Sequence, residues 1–238
     1  MQDGRYAFRG KKHLLLPLLF LLPQLAITVV FFFYPAGEAL MGSFYMEDSF
    51  GLSKEFVGLD NFITLFSDPS YLETLRLTLV FSLATIVLTM GTALLFAVLA
   101  DQVNWGGTLY KSMLIIPYAV APPLAGVLWL FPSGGVLTEL LHHFGYTWNH
   151  KINGNQALFL LIVSASWKQI SYNFLFFLAG LHAIPRSLIE AAAIDGASPW
   201  RRFRTIIFPL LSPTSFFLLV VNTIYTLFET FGIVHAVT

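Results

Sequence analysis

The sequence contains no cysteine, which excludes disulfide bridges, thiolate metal sites and cysteine nucleophiles. Charge is also scarce, because 11% of the 238 residues are charged, against about 25% in an ordinary soluble domain. Lys+Arg and Asp+Glu both number 13, so the chain lacks the positive excess with which proteins bind nucleic acid. Apolar residues make up 56% of the chain and include 24 Phe. These proportions exclude a water-soluble globule and indicate an integral membrane protein.

Five stretches are long and apolar enough to cross a bilayer as helices. A spanning helix needs about 20 mostly apolar residues, because each adds about 1.5 Å and the hydrocarbon core is about 30 Å thick. The stretches are residues 14–34, 75–100, 110–131, 156–181 and 213–232. They predict an all-α, polytopic transmembrane helical bundle in which residues 1–238 form a single domain. The first stretch is too long for the apolar core of a signal peptide, and we interpret it as an uncleaved anchor.

Basic residues predict the orientation of these spans. They cluster before the first span and between the fourth and fifth, at Arg5, Arg9, Lys11, Lys12, Arg186, Arg201, Arg202 and Arg204. The loop after the first span is mainly acidic. Because Lys and Arg concentrate in cytoplasmic loops, we expect the N-terminus and the segment 184–213 to face the cytoplasm.

The segment 184–213 has the pattern of two short helices joined by a turn. Ser187 is a suitable N-cap, and Glu190 three residues later would complete a capping box. Gly196 follows a run of good helix formers, where a glycine typically ends a helix. A second helix is expected to begin at Ser198, with Pro199 in its first turn. The alanines of this compact knob would let another protein approach closely.

The same segment resembles the EAA loop of ABC-importer permeases. The motif is present as Glu190-Ala191-Ala192 and Asp195-Gly196-Ala197, followed by a spaced Phe203, Ile206 and Pro209. In that family the loop forms the coupling helix, which docks into a cleft on the ATPase subunit. The resemblance therefore implies that six residues couple this chain to an ATPase: Glu190, Ala191, Ala192, Asp195, Gly196 and Ala197.

The similarity covers nearly the whole chain and is to the carbohydrate-uptake permeases related to the maltose system. It is carried by residues 56–62, 117–122 and 167–177. Residues 168–177 and 186–189 narrow it to the first membrane subunits of bacterial sn-glycerol-3-phosphate importers. The implied substrates are sn-glycerol 3-phosphate and related glycerophosphodiesters, with a neutral sugar or oligosaccharide as the alternative.

The resemblance also implies the partners and the location. A multi-pass subunit of the bacterial inner (plasma) membrane would pair with a second permease subunit, two ATP-binding subunits and an external solute-binding protein. This chain would hold no cofactor, because ATP and magnesium are bound by the ATPase subunits. The family usually has six spans and this sequence shows five, so we expect either truncation before the sixth span or an incomplete product, which would be a non-transporting fragment.

Polar residues inside the predicted spans are candidates for the substrate pathway, because ionisable groups at membrane depth cost a few kcal/mol. Lys168 shares a helix face with Ser171 and Tyr172, and a cation beside hydroxyls suits a phosphate-bearing polyol. The alternative is a buried lysine paired with an acid, for which Glu229 is a candidate, or with a carbonyl of the partner subunit. Asn222, Tyr225 and Glu229 of the fifth span either line the pathway or hold the interface with the second permease subunit by interhelical hydrogen bonds. The candidates are Lys168, Ser171, Tyr172, Asn173, Asn222 and Tyr225.

Other patterns bear on the class of protein. No histidine spacing predicts a metal site, and no phosphate-binding loop or nucleophile elbow occurs, so the chain is predicted not to be an enzyme. A secondary transporter or channel remains the alternative class, but it leaves the EAA-like segment unexplained. Pro117, Pro122 and Pro123 predict a break in the third span. Residues 57–66 and 137–144 are each predicted to form a short surface helix, with a packed surface loop as the alternative.

Overall fold

The computed structural model describes residues 12–48, 50–51, 53–103, 106–134 and 141–237. Helices form nearly all of its regular structure, which confirms the predicted all-α class. The predicted basic residues Arg5, Arg9 and Lys11 and the first half of the predicted helix 137–144 lie outside the described residues. The chain divides into two compact units, Met1–Thr74 and Leu75–Thr238.

The first unit begins with a long apolar helix that contains one wider turn. Helix α1 (Lys12–Thr28) passes through a π-helical turn (Val29–Phe33) into α2 (Tyr34–Gly42). The wider turn lies just before Pro35, whose ring would crowd the carbonyl four residues back and which has no N–H to donate. None of the described side chains from Pro17 to Gly42 is buried within this unit.

A short β-hairpin and a short helix complete the first unit. Strands β1 (Tyr45–Glu47) and β2 (Lys54–Phe56) pair antiparallel, with Tyr45 opposite Phe56. Glu47 and Lys54 form an ion pair at the end next to the turn. In the first turn of α3 (Asp60–Ser67), Asn61 donates to the carbonyls of Ser43 at 2.9 Å and Tyr45 at 3.0 Å. The predicted short helix is therefore confirmed and begins at Asp60.

The second unit is a bundle of helices, most of which follow one another with short connections. Helix α4 begins before the boundary between the units and continues into the second. The helices are α4 (Pro69–Asp101), α5 (Gly107–Ile115), α6 (Pro122–Gly134), α7 (Gly154–Ala183), α8 (Arg186–Ile194), α9 (Pro199–Arg202), α10 (Phe208–Leu210), α11 (Ser212–Ile224) and α12 (Phe231–Val237). A 3-10 turn (Ile116–Ala119) and two π-helical turns (Phe203–Ile207 and Tyr225–Glu229) connect neighbouring helices.

Two apolar clusters form the core of the second unit, and α7 contributes to both. One cluster packs small residues of α4 against large ones of α7, and includes Ala93, Ala97, Ala100, Phe174, Phe177, Leu178 and Leu181. The other contains Phe81, Leu160, Leu161, Ala165, Tyr225 and Ile233. Glycine permits close approach elsewhere, since a Cβ at Gly126 would lie 2.8 Å from that of Ala236.

Two helical stretches, Pro17–Gly42 and Pro69–Asp101, are each long and apolar enough to cross a membrane. Three further helix pairs qualify if each bent pair is one span, with bends of 103°, 66° and 65°, which gives up to five spans. The 103° bend separates Gly107–Ala119 from Pro122–Leu130 and confirms the predicted break at the prolines. The limits of the predicted spans and the side of the membrane that each loop faces stay predictions.

Candidate functional site

The hairpin formed by α8 and α9 begins at a proline. We predicted a capping box from Ser187 to Glu190, and this prediction is wrong, because α8 starts at Arg186 and Pro185 occupies the N-cap position without a side-chain hydrogen bond. Ile184 before the proline is extended, with ψ of 125°, which ends α7 at Ala183. The conformational restriction imposed by Pro185 therefore sets the start of the helix.

The end of α8 follows the predicted turn chemistry. Gly196 adopts a φ of +78°, which is unfavourable for residues with a Cβ but accessible to glycine. Its N–H donates to the carbonyl of Ala193 at 3.1 Å, and the N–H of Ala197 donates to that of Ala192 at 2.9 Å. These two bonds make a Schellman motif and confirm Gly196 as the glycine that closes the helix.

The second helix of the hairpin starts as predicted. The Ser198 hydroxyl accepts a hydrogen bond from the Arg201 N–H at 3.3 Å, and Pro199 is the first residue of α9. Trp200 stacks on Phe203, with ring centroids 5.7 Å apart. A glycine turn between two capped helices gives a compact knob of fixed shape.

The hairpin exposes most of the six predicted coupling residues. Glu190, Ala191, Asp195 and Gly196 are exposed, and Ala192 and Ala197 are half-buried. Ile194 is 86% exposed, and Trp200 is 70% exposed. Large apolar side chains that protrude from a rigid turn are typical of a protein contact surface. The six predicted coupling residues thus lie together on one protruding element.

The base of the hairpin contains a contact that sequence reasoning missed. His182 Nε2 lies 3.3 Å from Asp101 Oδ1, which joins the ends of α7 and α4. Both residues border a cavity of about 420 Å³ whose lining includes Arg186 and Glu190 of α8. The only sequence signal was that each residue falls in the last turn of a long helix, which does not predict their pairing.

Lys168 lies on an aromatic surface of α7. Its Nζ is 5.3 Å from the ring centroid of Tyr118, and the Tyr118 and Tyr172 centroids are 5.6 Å apart. Phe176 is 4.8 Å from Tyr172, and Phe217 is 5.2 Å from Phe176. The structure thus brings the predicted residues Lys168 and Tyr172 together and adds Tyr118, which lies in the 3-10 turn at the break of the third span. An ammonium over an aromatic face is a favourable cation–π arrangement.

The remaining predicted pathway residues lie in the core. Asn173 donates to Asn222 Oδ1 at 3.0 Å, and Asn222 donates back to Asn173 Oδ1 at 2.7 Å. The Tyr225 hydroxyl donates to the carbonyl of Ala165 at 3.3 Å. Asn173, Asn222 and Tyr225 are all buried, and these bonds join helical segments of this chain. The predicted pathway and subunit-interface roles of these residues stay predictions.

Three further expectations concern Glu229, Ser171 and metal binding. Glu229 is exposed, and among the described residues it forms no ion pair with Lys168. Ser171 is buried and, within the same described ranges, has no hydrogen-bond partner. The structure also contains no cluster of three or more His, Asp or Glu that could hold a metal ion, as far as the described residues extend.

Comparison with known proteins identifies the family. Residues 93–234 match the family described as the binding-protein-dependent transport system inner membrane component. The chain belongs to this family. The matched residues include α7, the α8–α9 hairpin and α11, so both the aromatic surface and the hairpin are parts of the family domain. Membership confirms that this chain is a membrane component of a transport system and agrees with the prediction that it is not an enzyme.

Several named proteins are similar to this inner-membrane component over most of their own length. The sn-glycerol-3-phosphate transport system permease protein UgpA of Brucella abortus is 59% identical over 227 residues, which cover 94% of this chain and 78% of that protein. The protein of the same name from Agrobacterium fabrum is 57% identical with the same coverage. That of Shigella flexneri is 52% identical over 100% of this chain and 81% of its own length.

Solved structures of transport systems share the fold. A bacterial ABC transporter involved in import of the acidic polysaccharide alginate matches with a TM-score of 0.73 at 22% identity, over 91% of this chain and 74% of that one. A bacterial alginate ABC transporter in complex with an alginate pentasaccharide-bound periplasmic protein matches with a TM-score of 0.75 at 20% identity. This match covers 95% of this chain and 80% of the matched chain. These likenesses show that this inner-membrane component has the fold of ABC-importer membrane subunits.

Proposed function

We propose that this chain is a permease subunit of an ATP-driven importer that moves sn-glycerol 3-phosphate, and related glycerophosphodiesters, into the cell. The observation that carries the proposal is the identity of 52% to 59%, across most of the chain, to relatives named for sn-glycerol-3-phosphate transport. A neutral sugar is the alternative substrate, because the EAA-like hairpin is shared among sugar permeases and does not select a substrate.

The proposed assembly contains a second permease subunit, two ATP-binding subunits and an external solute-binding protein. The family description supports the dependence on a binding protein. ATP and magnesium are held by the ATP-binding subunits. The N-terminus and the α8–α9 hairpin face the cytoplasm of the inner membrane, as the positions of the basic residues favour.

The α8–α9 hairpin is the proposed docking element for the ATP-binding subunit. Its exposed side carries Glu190, Ala191 and Asp195, while Ile189 on the opposite side packs against the core cluster of α4 and α7. A knob that is exposed on one side and anchored on the other passes a displacement to the helices behind it. Closure of the ATP-binding subunits would in this way switch access from the outside to the inside.

The aromatic surface around Lys168 is the proposed contact for the substrate. The ammonium group provides charge-assisted hydrogen bonds to the phosphate. The rings of Tyr118 and Tyr172 lie beside it and can cover the carbon–hydrogen face of the glycerol. A neutral sugar would use the same rings but would gain nothing from the cation.

Uptake of labelled sn-glycerol 3-phosphate by the transporter that contains this chain tests the proposal. We expect Lys168→Gln to raise KM by about 10-fold or more and Lys168→Arg to retain much of the affinity, because a hydrogen bond to a charged group contributes about 1.5–3 kcal/mol. Lys151→Gln, in an exposed loop, is the matched control. Membrane insertion is checked by immunoblot.

Competition then separates the two substrate classes. Excess unlabelled glycerol 3-phosphate or a glycerophosphodiester should block uptake of the label. If a maltose-type sugar competed and these compounds did not, or if Lys168→Gln left KM unchanged, the substrate proposal would be wrong.

A further inference from the structure

Five hydroxyl groups on α4 and α7 are buried without a hydrogen-bond partner among the described residues. In the part of the chain that the structure describes, none of the hydroxyl oxygens of Ser82, Thr85, Thr89, Ser166 and Ser171 has a partner. The exposed fraction of these residues is 7% for Ser82 and 1% or less for the other four. We call these five residues the hydroxyl seam.

Other hydroxyls within helices of the second unit are satisfied. Thr92, one turn beyond Thr89 on α4, donates to the carbonyl of Leu88 at 2.6 Å. Thr223 on α11 donates to the carbonyl of Leu219 at 2.8 Å. This bond to the carbonyl four residues back is the usual choice of a serine or threonine inside a helix. A buried hydroxyl without any partner is unfavourable and calls for a physical explanation.

The hydroxyl seam lies between the two apolar clusters. On α4, the second cluster includes Phe81 and the first includes Ala93 and Ala97, so Ser82, Thr85 and Thr89 fall between them. On α7, the second cluster ends at Ala165 and the first begins at Phe174, so Ser166 and Ser171 fall between the same two levels. Ser82, Thr85 and Thr89 also continue the stripe of Ala93 and Ala97 at three- and four-residue spacing. On each helix, the unpartnered hydroxyls therefore lie at a level between the two apolar clusters.

The chemistry of the hydroxyl seam points to its ligand. The five groups are neutral, and each hydroxyl can both donate and accept a hydrogen bond, which suits water and the hydroxyls of a polyol. Lys168 lies three residues before Ser171 on α7, at the spacing that places two residues on the same side of a helix. The cation can bind the phosphate of a polyol phosphate, and the neutral hydroxyls can bind its hydroxyl groups.

We propose that the hydroxyl seam opens to water in the opposite access state and then forms a wall of the substrate pathway. In the state described here the seam is closed, and its hydroxyls have lost partners that the open state supplies. Alternating access of this kind exposes one set of helix surfaces at a time. The inference rests on the proposed importer function and adds Ser82, Thr85, Thr89 and Ser166 to the pathway.

Because the chain has no cysteine, single cysteines report on the seam without background. Thr85→Cys, Thr89→Cys, Ser166→Cys and Ser171→Cys would each be made in the complete transporter, reconstituted in nanodiscs. The controls are Ala93→Cys and Ala97→Cys, which have 0% exposure and lie on the same stripe of α4. The probe is a charged, water-soluble methanethiosulfonate, applied without nucleotide and after trapping with ATP and vanadate.

We expect the seam cysteines to be labelled about tenfold faster in one nucleotide state than in the other, as a shift between two populations requires. The control cysteines should stay unreactive in both states. Labelling no faster than the controls in either state would overturn the proposal. Equal labelling of the seam in both states would overturn it as well, because that result describes a permanent water pocket.

Isosteric valine variants provide a second measurement that does not depend on the cysteines. Thr85→Val and Thr89→Val keep the shape and remove the hydroxyl, so we expect uptake to fall several-fold while the amount inserted in the membrane is unchanged. If uptake were unchanged and thermal stability rose, the hydroxyls would have no partner in any state and the proposal would be wrong. A failure of the importer function itself would appear in the unsubstituted transporter as missing ATP hydrolysis and uptake, so the two failures are distinguishable.

Discussion

Replacement of Gly196 tests the shape of the α8–α9 hairpin. With φ of +78°, this position disfavours any residue that has a Cβ, by about 1–2 kcal/mol for an ordinary side chain and less for Asn. A Cβ at Gly196 would meet no atom within 4 Å, so the effect arises from the backbone and not from a clash inside this chain. A destabilisation of about 1–2 kcal/mol changes the population of the native turn by a factor of about 5–30.

A set of variants separates backbone strain from contact with the partner. Gly196→Val strains the turn and should strongly reduce uptake, whereas Gly196→Asn tolerates the left-handed conformation and tests the added bulk alone. Gly196→Asp adds bulk and an acid on the surface proposed to meet the ATP-binding subunit, and we expect it to abolish transport. Gly154→Ala, at an open helical position, is the control and should behave as the unsubstituted chain.

The assay is uptake by the complete transporter together with its rate of ATP hydrolysis and an immunoblot of the membrane fraction. Loss of uptake with normal insertion supports the coupling role of the turn. If Gly196→Asn is also inactive, close approach of the partner matters in addition to the shape of the turn. Normal uptake in both Gly196→Val and Gly196→Asp would refute the reasoning.

Three further substitutions test the packing and the local structure of the described helices. Asn222→Leu leaves the side-chain oxygen of Asn173 buried without a donor, although its amide still donates to the carbonyl of Gln169. The change should lower the free energy of unfolding by about 0.6–1.7 kcal/mol, measured by thermal unfolding in detergent, with partial recovery when Asn173→Leu is added. Gly126→Val overpacks the contact with α12 and should cost about 1–3 kcal/mol by the same measurement, whereas Gly91→Ala, which faces open space, should be neutral or stabilising. Ser198→Ala removes the N-cap of α9 and should cost about 1 kcal/mol, with a partial loss of uptake that Ser198→Asp restores.

Local turn chemistry was predictable from the sequence. The glycine at 196, the cap at Ser198 and the break at the prolines of the third span each depend on a few neighbouring residues, and the structure confirms all three. The start of α8 was predicted wrongly because two local signals compete there. Ser187 offers a capping hydroxyl, but Pro185 restricts the residue before it and ends the preceding helix first.

Contacts between distant residues were not predictable in the same way. Asn173 and Asn222 are 49 positions apart, and helical spacing shows only which face each one shares with its neighbours. Spacing does not show whether that face meets another helix, lipid or a pathway. The same limit explains why Tyr118 beside Lys168 and His182 beside Asp101 were missed, since each pair joins separate helical segments.

Helix α7 connects the two parts of the candidate site. Ile184 is buried and Ile189 packs against the cluster around Phe174, so the 66° bend between α7 and α8 is anchored on both sides of Pro185. A proline with fixed φ leaves little freedom at this joint, and a displacement of α8 is passed to α7 instead of being absorbed. Lys168 lies on the same helix, fifteen residues before Ala183 or about 22 Å along its axis. On the proposed function, one rigid helix therefore carries the movement of the docking hairpin to the level of the substrate contact. The buried hydroxyls of the seam have no hydrogen bonds among the described residues that such a movement would have to break.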